Sequence, residues 1–416
     1  MYQAPRGTSD ILPEEQVYWS YIKQRATFIS ELFGYQRMDT PTFEDSRLFV
    51  RSIGEETDIV EKEMYYLEEK GGDRFTLRPE GTAPVCRAYI EHGMSNLPQP
   101  VRLYYFASIF RYERPQAGRY REHHQFGVEA IGDSDPALDA EVIAMAWHLY
   151  ANLGLRGLTL SLNSIGCSNC RPKYLDSLKA YYSEHKESLC NDCKRRLAIN
   201  PLRLLDCKKP SCTPLTEQAP RSIDFLCKEC ADHFDQLTEY LNLLELPFTL
   251  AHRLVRGLDY YTRTVFEIAP EGEVGAQVAI GGGGRYDNLI EQLGGKPTSA
   301  VGFATGIERL VLNLKKQVVA VPNTPTPTVF VAYLGKVAKN EAIKLTSQLR
   351  RSGISVIGTP GERSLKAQLK QANVLGARYA VIIGEDEVKS KTVVLRNMTK
   401  AEQQTIPVNK LADALH

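Results

Sequence analysis

The chain lacks most of the features that would assign it to a specialised class at once. No apolar run approaches the roughly 20 residues that a membrane-crossing helix needs. The opening Met1-Tyr2-Gln3-Ala4-Pro5-Arg6-Gly7 has no apolar core of the kind a secretory signal carries. Net charge is nearly absent, with 51 Lys and Arg against 50 Asp and Glu. No internal repeat or low-complexity tract is evident. These absences argue against a membrane partner and leave a soluble cytoplasmic protein as the expectation. What is present suits a globular chain. Hydrophobic residues make up 43% and charged residues 24% of the 416, enough apolar surface to build a core and too much for wholesale disorder. At roughly 150 residues per domain the length suggests about three domains.

The near-zero charge hides an asymmetry. From Thr328 to His416 there are 14 basic and 7 acidic residues, so a basic tail follows an acidic body. That pattern fits either a polyanionic partner for the tail or a solvated lysine-rich surface. Cysteine is equally uneven. Eight of nine fall in one window: Cys167-x-x-Cys170, Cys190-x-x-Cys193, Cys207, Cys212 and Cys227-x-x-Cys230. An odd count without a secretory signal argues against a disulfide framework. Paired C-x-x-C spacings point to a metal knuckle, with reduced buried thiols as the alternative. Spacing alone leaves open which four would share a structural Zn²⁺.

The clearest boundary is Val321-Pro-Asn-Thr-Pro-Thr-Pro-Thr328, whose three prolines suit an extended linker. Beyond it, strand-like runs at Val329-Phe-Val-Ala-Tyr, Ile354-Ser-Val-Ile, Tyr379-Ala-Val-Ile-Ile and Thr392-Val-Val-Leu follow one another. Helical stretches lie at Lys339 to Arg351, Ser364 to Leu375 and Val408 to Leu415. This alternation predicts a small α/β domain with a largely parallel sheet. The first part differs. Thr8-Ser9-Asp10-Ile11-Leu12-Pro13-Glu14-Glu15 is a helix-start signal, and the helix should run from about Glu14 to Phe33 before Gly34 stops it. Strands are expected at Arg74 to Leu77, Val101 to Arg114 and His123 to Ile131, giving an α+β body with an antiparallel sheet. The cysteine window, Cys167 to about Glu245, reads as a mostly helical interruption of that body.

The stretch Phe110-Arg111-Tyr112-Glu113 and the later His123-His124-Gln125-Phe126-Gly127-Val128-Glu129 flank a turn-rich loop with Pro115 and Gly118. Strand side chains alternate faces. Arg111 and Glu113 share one face of the first run; His123, Gln125 and Glu129 share one face of the second. If those faces coincide, the hairpin presents a floor of Arg, Glu, Gln and Glu. A solvated face favours Lys and Thr, whereas this one carries an Arg suited to bidentate phosphate contact and carboxylates suited to an ammonium group.

Phe110-Arg111-x-Glu113 with its loop resembles the second signature motif of class II aminoacyl-tRNA synthetases. Gly34-Tyr35 through Asp39-Thr40-Pro41 resembles the first, and Gly302-Phe-Ala-Thr-Gly306-Ile-Glu308-Arg309-Leu310 the third. Three more segments resemble the histidyl branch of that family: Thr76-Leu-Arg-Pro-Glu80-Gly81-Thr82, Arg256-Gly-Leu-Asp-Tyr260-Tyr261-Thr262 and Ala279-Ile-Gly281-Gly-Gly-Gly284-Arg-Tyr-Asp287. The resemblance spans nearly the whole chain. It implies an α+β class II synthetase antiparallel-sheet catalytic core over 1–320, with the 167–245 window as a helical insertion touching the tRNA acceptor stem. It further implies a linker at 321–328 and a small α/β anticodon-binding domain at 329–416. Many members of the family lack the cysteines, so the chemistry does not require them.

The implied activity is ATP-dependent ligation of L-histidine to tRNA(His) by a homodimer, with Pro41 at the dimer interface and ATP and Mg²⁺ in the site. Arg111 and Arg256 are the implied catalytic residues at the α-phosphate, with Arg256 also reaching the histidine carboxylate. Arg309 is implied at the far phosphates, and Glu113 joins Arg111 and Arg309 as the ATP-binding set. Glu80, Gly81, Thr82 and Gln125 would surround the α-ammonium, and Glu129, Tyr260 and Tyr261 the imidazole side. Phosphoryl-type transfer depends on positioning and charge neutralisation, which suits an arginine-rich set. Taken singly, each Arg could be a surface ion pair worth at most about 1 kcal/mol, the Tyr pair could be core packing, and the four glycines a bulge. Two other functions share parts of this pattern. One is a regulatory subunit of ATP phosphoribosyltransferase, which typically lacks the anticodon domain and the intact Arg256 segment. The other is a nucleic-acid-binding module with an inert body, which would not need the phosphate-binding arginines.

Overall fold

The computed structural model describes residues 2–54, 57, 59–69, 71–114, 119–272, 279–361 and 363–415. The expected turn at Pro115 and Gly118 therefore lies outside the described residues. The chain forms two compact units, Met1–Pro322 and Asn323–His416, dividing within the proline-rich run.

The first unit is built on an eight-stranded sheet. Its strand order is Gln36–Arg37, Val101–Phe110, Glu122–Ile131, Ala300–Gly306, Gly281–Arg285, Thr262–Pro270, Leu158–Ser164 and Phe248–Leu250. The five central pairings are antiparallel and the two end pairings parallel. The parallel pairing of Leu158–Ser164 with Phe248–Leu250 demands a crossover, and the cysteine-rich segment supplies it through helices Arg171–Glu184, Asn191–Ile199, Thr213–Glu217 and Lys228–Leu243. The strand expected from Val101 to Arg114 ends at Phe110. There the Arg111 N–H still reaches the Arg121 carbonyl at 2.8 Å, but the Tyr112 N–H turns away to the Glu63 carbonyl at 2.7 Å, so Glu113 lies beyond the ladder.

One sheet face carries the main core. Phe126, Val128, Phe266, Ile268, Val301 and Phe303 project onto helices Gln16–Leu32 and Pro136–Asn152. The first helix buries Trp19, Ile22, Ala26 and Ile29, a 3-4-3 spacing that makes one apolar stripe. It starts two residues later than expected and ends before Gly34, whose φ of +77° suits a glycine stop. The second helix begins with Asp135, whose carboxylate accepts from the Ala137 N–H, and Pro136 in its first turn.

A buried ion pair locks this helix to the sheet. Arg285 and Asp139 are both 0% exposed. The Arg285 Nε donates to Asp139 Oδ2 at 3.0 Å, its Nη1 to the Asp133 carbonyl at 2.9 Å and Asp287 Oδ1 at 3.2 Å, and its Nη2 to the Asp135 carbonyl at 3.2 Å. A further Nη2 bond to Asp139 uses the last of the five guanidinium donors.

In the second unit, Val329–Tyr333 is an interior strand, paired in parallel with Val356–Gly358 and Tyr379–Ile383. Val329, Val331 and Tyr333 pack into one apolar cluster, and Phe330 and Ala332 into another. Burial on both faces explains the uninterrupted apolar run. The sheet is mixed rather than largely parallel. Thr392–Asn397 runs antiparallel to Tyr379–Ile383, and Gln403–Pro407 antiparallel to Thr392–Asn397. That last strand escapes a sequence reading because it is a mostly exposed edge whose one half-buried residue is Ile406. A short helix, Glu385–Ser390, was also not anticipated. The terminal helix expected from Val408 splits into a 3₁₀ turn, Val408–Lys410, and an α-helix, Leu411–Leu415.

Removing Asp139 strands a buried guanidinium. Asp139→Ala is expected to destabilise the first unit by about 3–5 kcal/mol, read as a lower urea midpoint with unchanged slope. An unmoved midpoint contradicts the role given to the pair.

Candidate functional site

The other face of the central sheet floors a cavity of about 930 Å³. Register explains how its lining side chains fit. Tyr105 pairs with Gly127, Gly127 with Ala304, Ala304 with Gly282, and Gly282 with Glu267. Three small residues in a row thus lie between a tyrosine and a carboxylate. A Cβ at Gly127 would come 2.3 Å from the Tyr105 ring, and one at Gly302 2.0 Å from Glu129 Oε2. These glycines are there because other groups occupy the space a side chain would need. All eleven residues singled out from the sequence, Glu80, Gly81, Thr82, Arg111, Glu113, Gln125, Glu129, Arg256, Tyr260, Tyr261 and Arg309, line this one cavity.

Glu129 lies deepest, 1% exposed. Its Oε1 accepts from Thr82 Oγ1 at 2.8 Å and Tyr105 OH at 3.2 Å, and its Oε2 from Tyr286 OH. An ionised carboxylate offers about four acceptor positions, so three hydroxyls leave one, on Oε2. Burial pushes the Glu129 carboxyl up to about 8, against the three hydroxyl bonds that favour its charge. Glu80 is also buried. Its Oε2 accepts from the Thr82 N–H at 2.6 Å and its Oε1 from the Ala83 N–H at 2.8 Å, so it closes the start of helix Thr82–Glu91. Burial raises its pKa, while those N–H groups and Arg111 oppose the rise.

The cations are held by their own anchors. Arg111 Nε donates to the Pro79 carbonyl at 2.8 Å, which leaves its terminal nitrogens as the groups able to meet a ligand. Arg256 Nη1 donates to Glu267 Oε2 at 2.8 Å, yet its buried Nε has no partner among the described residues. Leaving such a donor unsatisfied costs on the order of 1–3 kcal/mol, a deficit that a bound acceptor removes. Arg309 Nη1 donates to the Ala279 carbonyl at 2.6 Å. Beside it, Glu308 accepts from the His124 N–H at 2.9 Å and meets His124 Nδ1 at 2.8 Å, fixing the Arg309 helix to the Glu122–Ile131 strand. The three guanidinium groups share an electrostatic neighbourhood. Burial lowers the Arg309 pKa, with Arg256 adding to the effect and Glu267 opposing it. His123 is pushed down to about 3 by burial and then by Arg111 and Arg309, so it is neutral at pH 7 between two cations. The site is therefore arranged for an anion beside a smaller polar pocket.

Several lining residues were not picked out by sequence reasoning. Tyr105 and Tyr286, which hold Glu129, read as ordinary core aromatics. The pairing of Tyr105 with Gly127 is the signal that could have revealed the first. Glu267 and Arg119 also face the cavity, as does His123 from the polar strand face read in the sequence, and Arg119 pairs with Glu113. Arg196, Arg203 and Lys208 reach the same cavity from the helical insertion.

Known proteins resemble this chain along its length. The family model for histidyl-tRNA synthetase matches residues 7–180 and 215–310, and that for the anticodon binding domain residues 328–416. A histidine–tRNA ligase of Dehalococcoides mccartyi is 61% identical over 99% of this chain and 98% of its own. One from Pelotomaculum thermopropionicum is 49% identical over 97% and 95%. Among solved structures, apo histidyl-tRNA synthetase of S. aureus superposes with a TM-score of 0.84 at 38% identity, covering both chains fully. A Bacillus halodurans protein described as an ATP phosphoribosyltransferase regulatory subunit/histidyl-tRNA synthetase gives 0.68 at 25% identity, over 92% of this chain and 98% of its own.

The raised Glu129 pKa has a measurable sign. The folded state holds this proton more tightly than the unfolded chain, so the contribution is complete below the ordinary value of 4.5 and lost as pH rises to about 8. Glu129→Gln cannot titrate. The unfolding midpoint of the wild type relative to this variant is expected to fall steadily from pH 5 to pH 8. A constant difference across that range contradicts the buried-proton account.

Proposed function

The chain belongs to the histidyl-tRNA synthetase family, and we propose that this cavity is where histidine and ATP react. It is a class II enzyme that ligates L-histidine to its cognate tRNA in two steps. The histidine carboxylate attacks the α-phosphorus of ATP, giving histidyl-adenylate and pyrophosphate. The terminal adenosine hydroxyl of the tRNA then takes the histidyl group, and AMP leaves. The observation that carries the site assignment is the meeting of three anchored guanidinium groups with two buried carboxyls in one cavity.

In this reading the open position on Glu129 Oε2 meets one imidazole nitrogen, accepting its N–H when ionised and donating to it when protonated, and the Tyr261 hydroxyl serves the other ring nitrogen, with Tyr260 packed against it. A site that hydrogen-bonds both nitrogens rejects analogues strongly, since a poor ligand leaves buried polar groups unpaired. Glu80, Thr82 and Gln125 hold the α-ammonium, and Gly81 lets the Tyr105 ring pack where a side chain would stand. Arg111 and Arg256 neutralise the α-phosphate and orient the attacking carboxylate, and the unpartnered Arg256 Nε supplies a ready donor. Arg309 meets the terminal phosphates. The family uses ATP with Mg²⁺. Mg²⁺ binds through one or two carboxylates beside phosphate oxygens, and Glu113, which lines the cavity next to Arg111, fits that donor set. The ion's contribution there is charge neutralisation on the phosphates.

The remaining assignments follow the same logic. Residues 1–320 form the catalytic domain, with 167–245 as its insertion, 321–328 as the linker and 329–416 as the anticodon-binding domain. The basic excess of the last supports contact with tRNA phosphates. Arg196, Arg203 and Lys208 support an approach of the acceptor end along the insertion. Homodimerisation through the Gly34–Pro41 region is supported by exposed apolar side chains around it, among them Phe28, Leu32 and Phe43. Among the described residues no helix is long and apolar enough to cross a membrane, in keeping with a cytoplasmic enzyme. The regulatory-subunit alternative is disfavoured by the anticodon-binding match and the Arg256-Gly-Leu-Asp-Tyr-Tyr segment.

Arg256→Ala is expected to lower histidine-dependent ATP–pyrophosphate exchange by about 10²–10³-fold while the protein stays folded by circular dichroism. Full exchange in a folded variant rejects the role. Deletion of residues 323–416 should leave exchange near the wild-type rate and sharply reduce tRNA charging. Undiminished charging would remove the anticodon-binding assignment.

A further inference from the structure

The eight clustered cysteines divide into two sets of four. The sulfurs of Cys167, Cys170, Cys227 and Cys230 all lie within 4.8 Å of one another, as do those of Cys190, Cys193, Cys207 and Cys212. Cys167 Sγ is 3.7 Å from Cys170 Sγ and 3.9 Å from Cys227 Sγ, and Cys190 Sγ is 3.9 Å from Cys207 Sγ. All nine cysteines are free, and these separations are far beyond a disulfide bond of about 2.0 Å. Four sulfurs about 2.3 Å from one tetrahedral ion sit about 3.8 Å apart, close to the separations of 3.7, 3.9 and 3.9 Å, with every other pair in each set within 4.8 Å. A four-iron cluster would spread its thiolates over separate irons.

Helix starts surround both groups. Cys170, Cys190, Cys212 and Cys227 immediately precede helices Arg171–Glu184, Asn191–Ile199, Thr213–Glu217 and Lys228–Leu243, and Cys193 and Cys230 lie in the first turns of the second and fourth. The positive end of a helix favours a thiolate. Backbone N–H groups also reach the sulfurs: Cys167 N to Cys170 Sγ at 3.2 Å and Cys190 N to Cys212 Sγ at 3.3 Å. Gly166 has a φ of +69°, and a Cβ there would lie 2.7 Å from Cys170 Sγ, so the turn is shaped around the sulfur.

We propose that this chain carries two structural Zn²⁺ sites, Cys167/Cys170/Cys227/Cys230 and Cys190/Cys193/Cys207/Cys212. Each thiol that ligates gives its proton to solvent, so a filled site is a tetrathiolate of net charge −2. The first site stands at the neck of the insertion, joining the end of strand Leu158–Ser164 to the start of helix Lys228–Leu243. Next to it, Arg171 donates from Nη2 to the carbonyls of Gly166 at 3.1 Å and Tyr261 at 2.5 Å, so the neck is tied to the cavity wall. The second site lies within the insertion's own small apolar core and includes Cys207, which borders the cavity beside Lys208. A core of this size gains most from a metal cross-link.

Native mass spectrometry of the full-length protein, purified without added metal and dialysed against a weak chelator, tests this. Two zinc ions per chain are expected. None, one, or iron in their place overturns the proposal. The double variant Cys193→Ser/Cys212→Ser should lose one of the two ions, and retention of both overturns the ligand sets. For the unmodified protein, a thiol-blocking mercurial should release two zinc ions per chain to a metal-sensitive dye, and release of none again overturns it. Metal content is read without turnover, so its failure leaves the ligase assignment standing.

Discussion

The Glu129 carboxyl, buried and ringed by hydroxyl groups, is the constraint around which the catalytic sheet is organised. A carboxyl in that position tolerates burial only if its oxygens are occupied, and Thr82, Tyr105 and Tyr286 occupy three of its acceptor positions. Each donor then dictates something further. Tyr105 fills the space over Gly127 and Gly81, and the carboxylate itself excludes a side chain at Gly302. Tyr286 follows directly on Arg285, which fastens the same strand end to Asp139. The glycines at 81, 127 and 302 thus follow from this one group and its donors, and the buried ion pair adjoins it along the chain.

Around this pocket the protein sets up a gradient of charge. At one end lies a carboxyl raised to about 8 by burial, and at the other a histidine held neutral between Arg111 and Arg309. Arg256 lines the same cavity, paired with Glu267 and holding a donor in reserve. Adenylate formation needs such an arrangement. A carboxylate and a polyphosphate, both anionic, must be brought together, and fixed cations lower the repulsion between them without reorganising.

Much of this was legible in the sequence, and the reasons differ by element. The alternation of His123, Gln125 and Glu129 against Phe126 and Val128 placed the polar face correctly, because strand periodicity of two is rigid and one face had to meet an apolar core. The long first helix was legible from its 3-4-3 apolar stripe, and the Val329–Tyr333 strand from an apolar run buried on both faces. Gln403–Pro407 was not, since an exposed edge strand carries little apolar signal. Tyr105 and Tyr286 were not, because a buried tyrosine looks the same whether its hydroxyl is structural or functional. The division of the cysteines into two fours was beyond sequence reading, as it depends on which helix starts meet in space.

The central claim is that this cavity selects an imidazole through Glu129 and its neighbours. ATP–pyrophosphate exchange measured with each of the twenty amino acids in turn tests it most directly. The account predicts exchange with histidine and only background with the other nineteen. Comparable exchange with any amino acid that lacks an imidazole would contradict it.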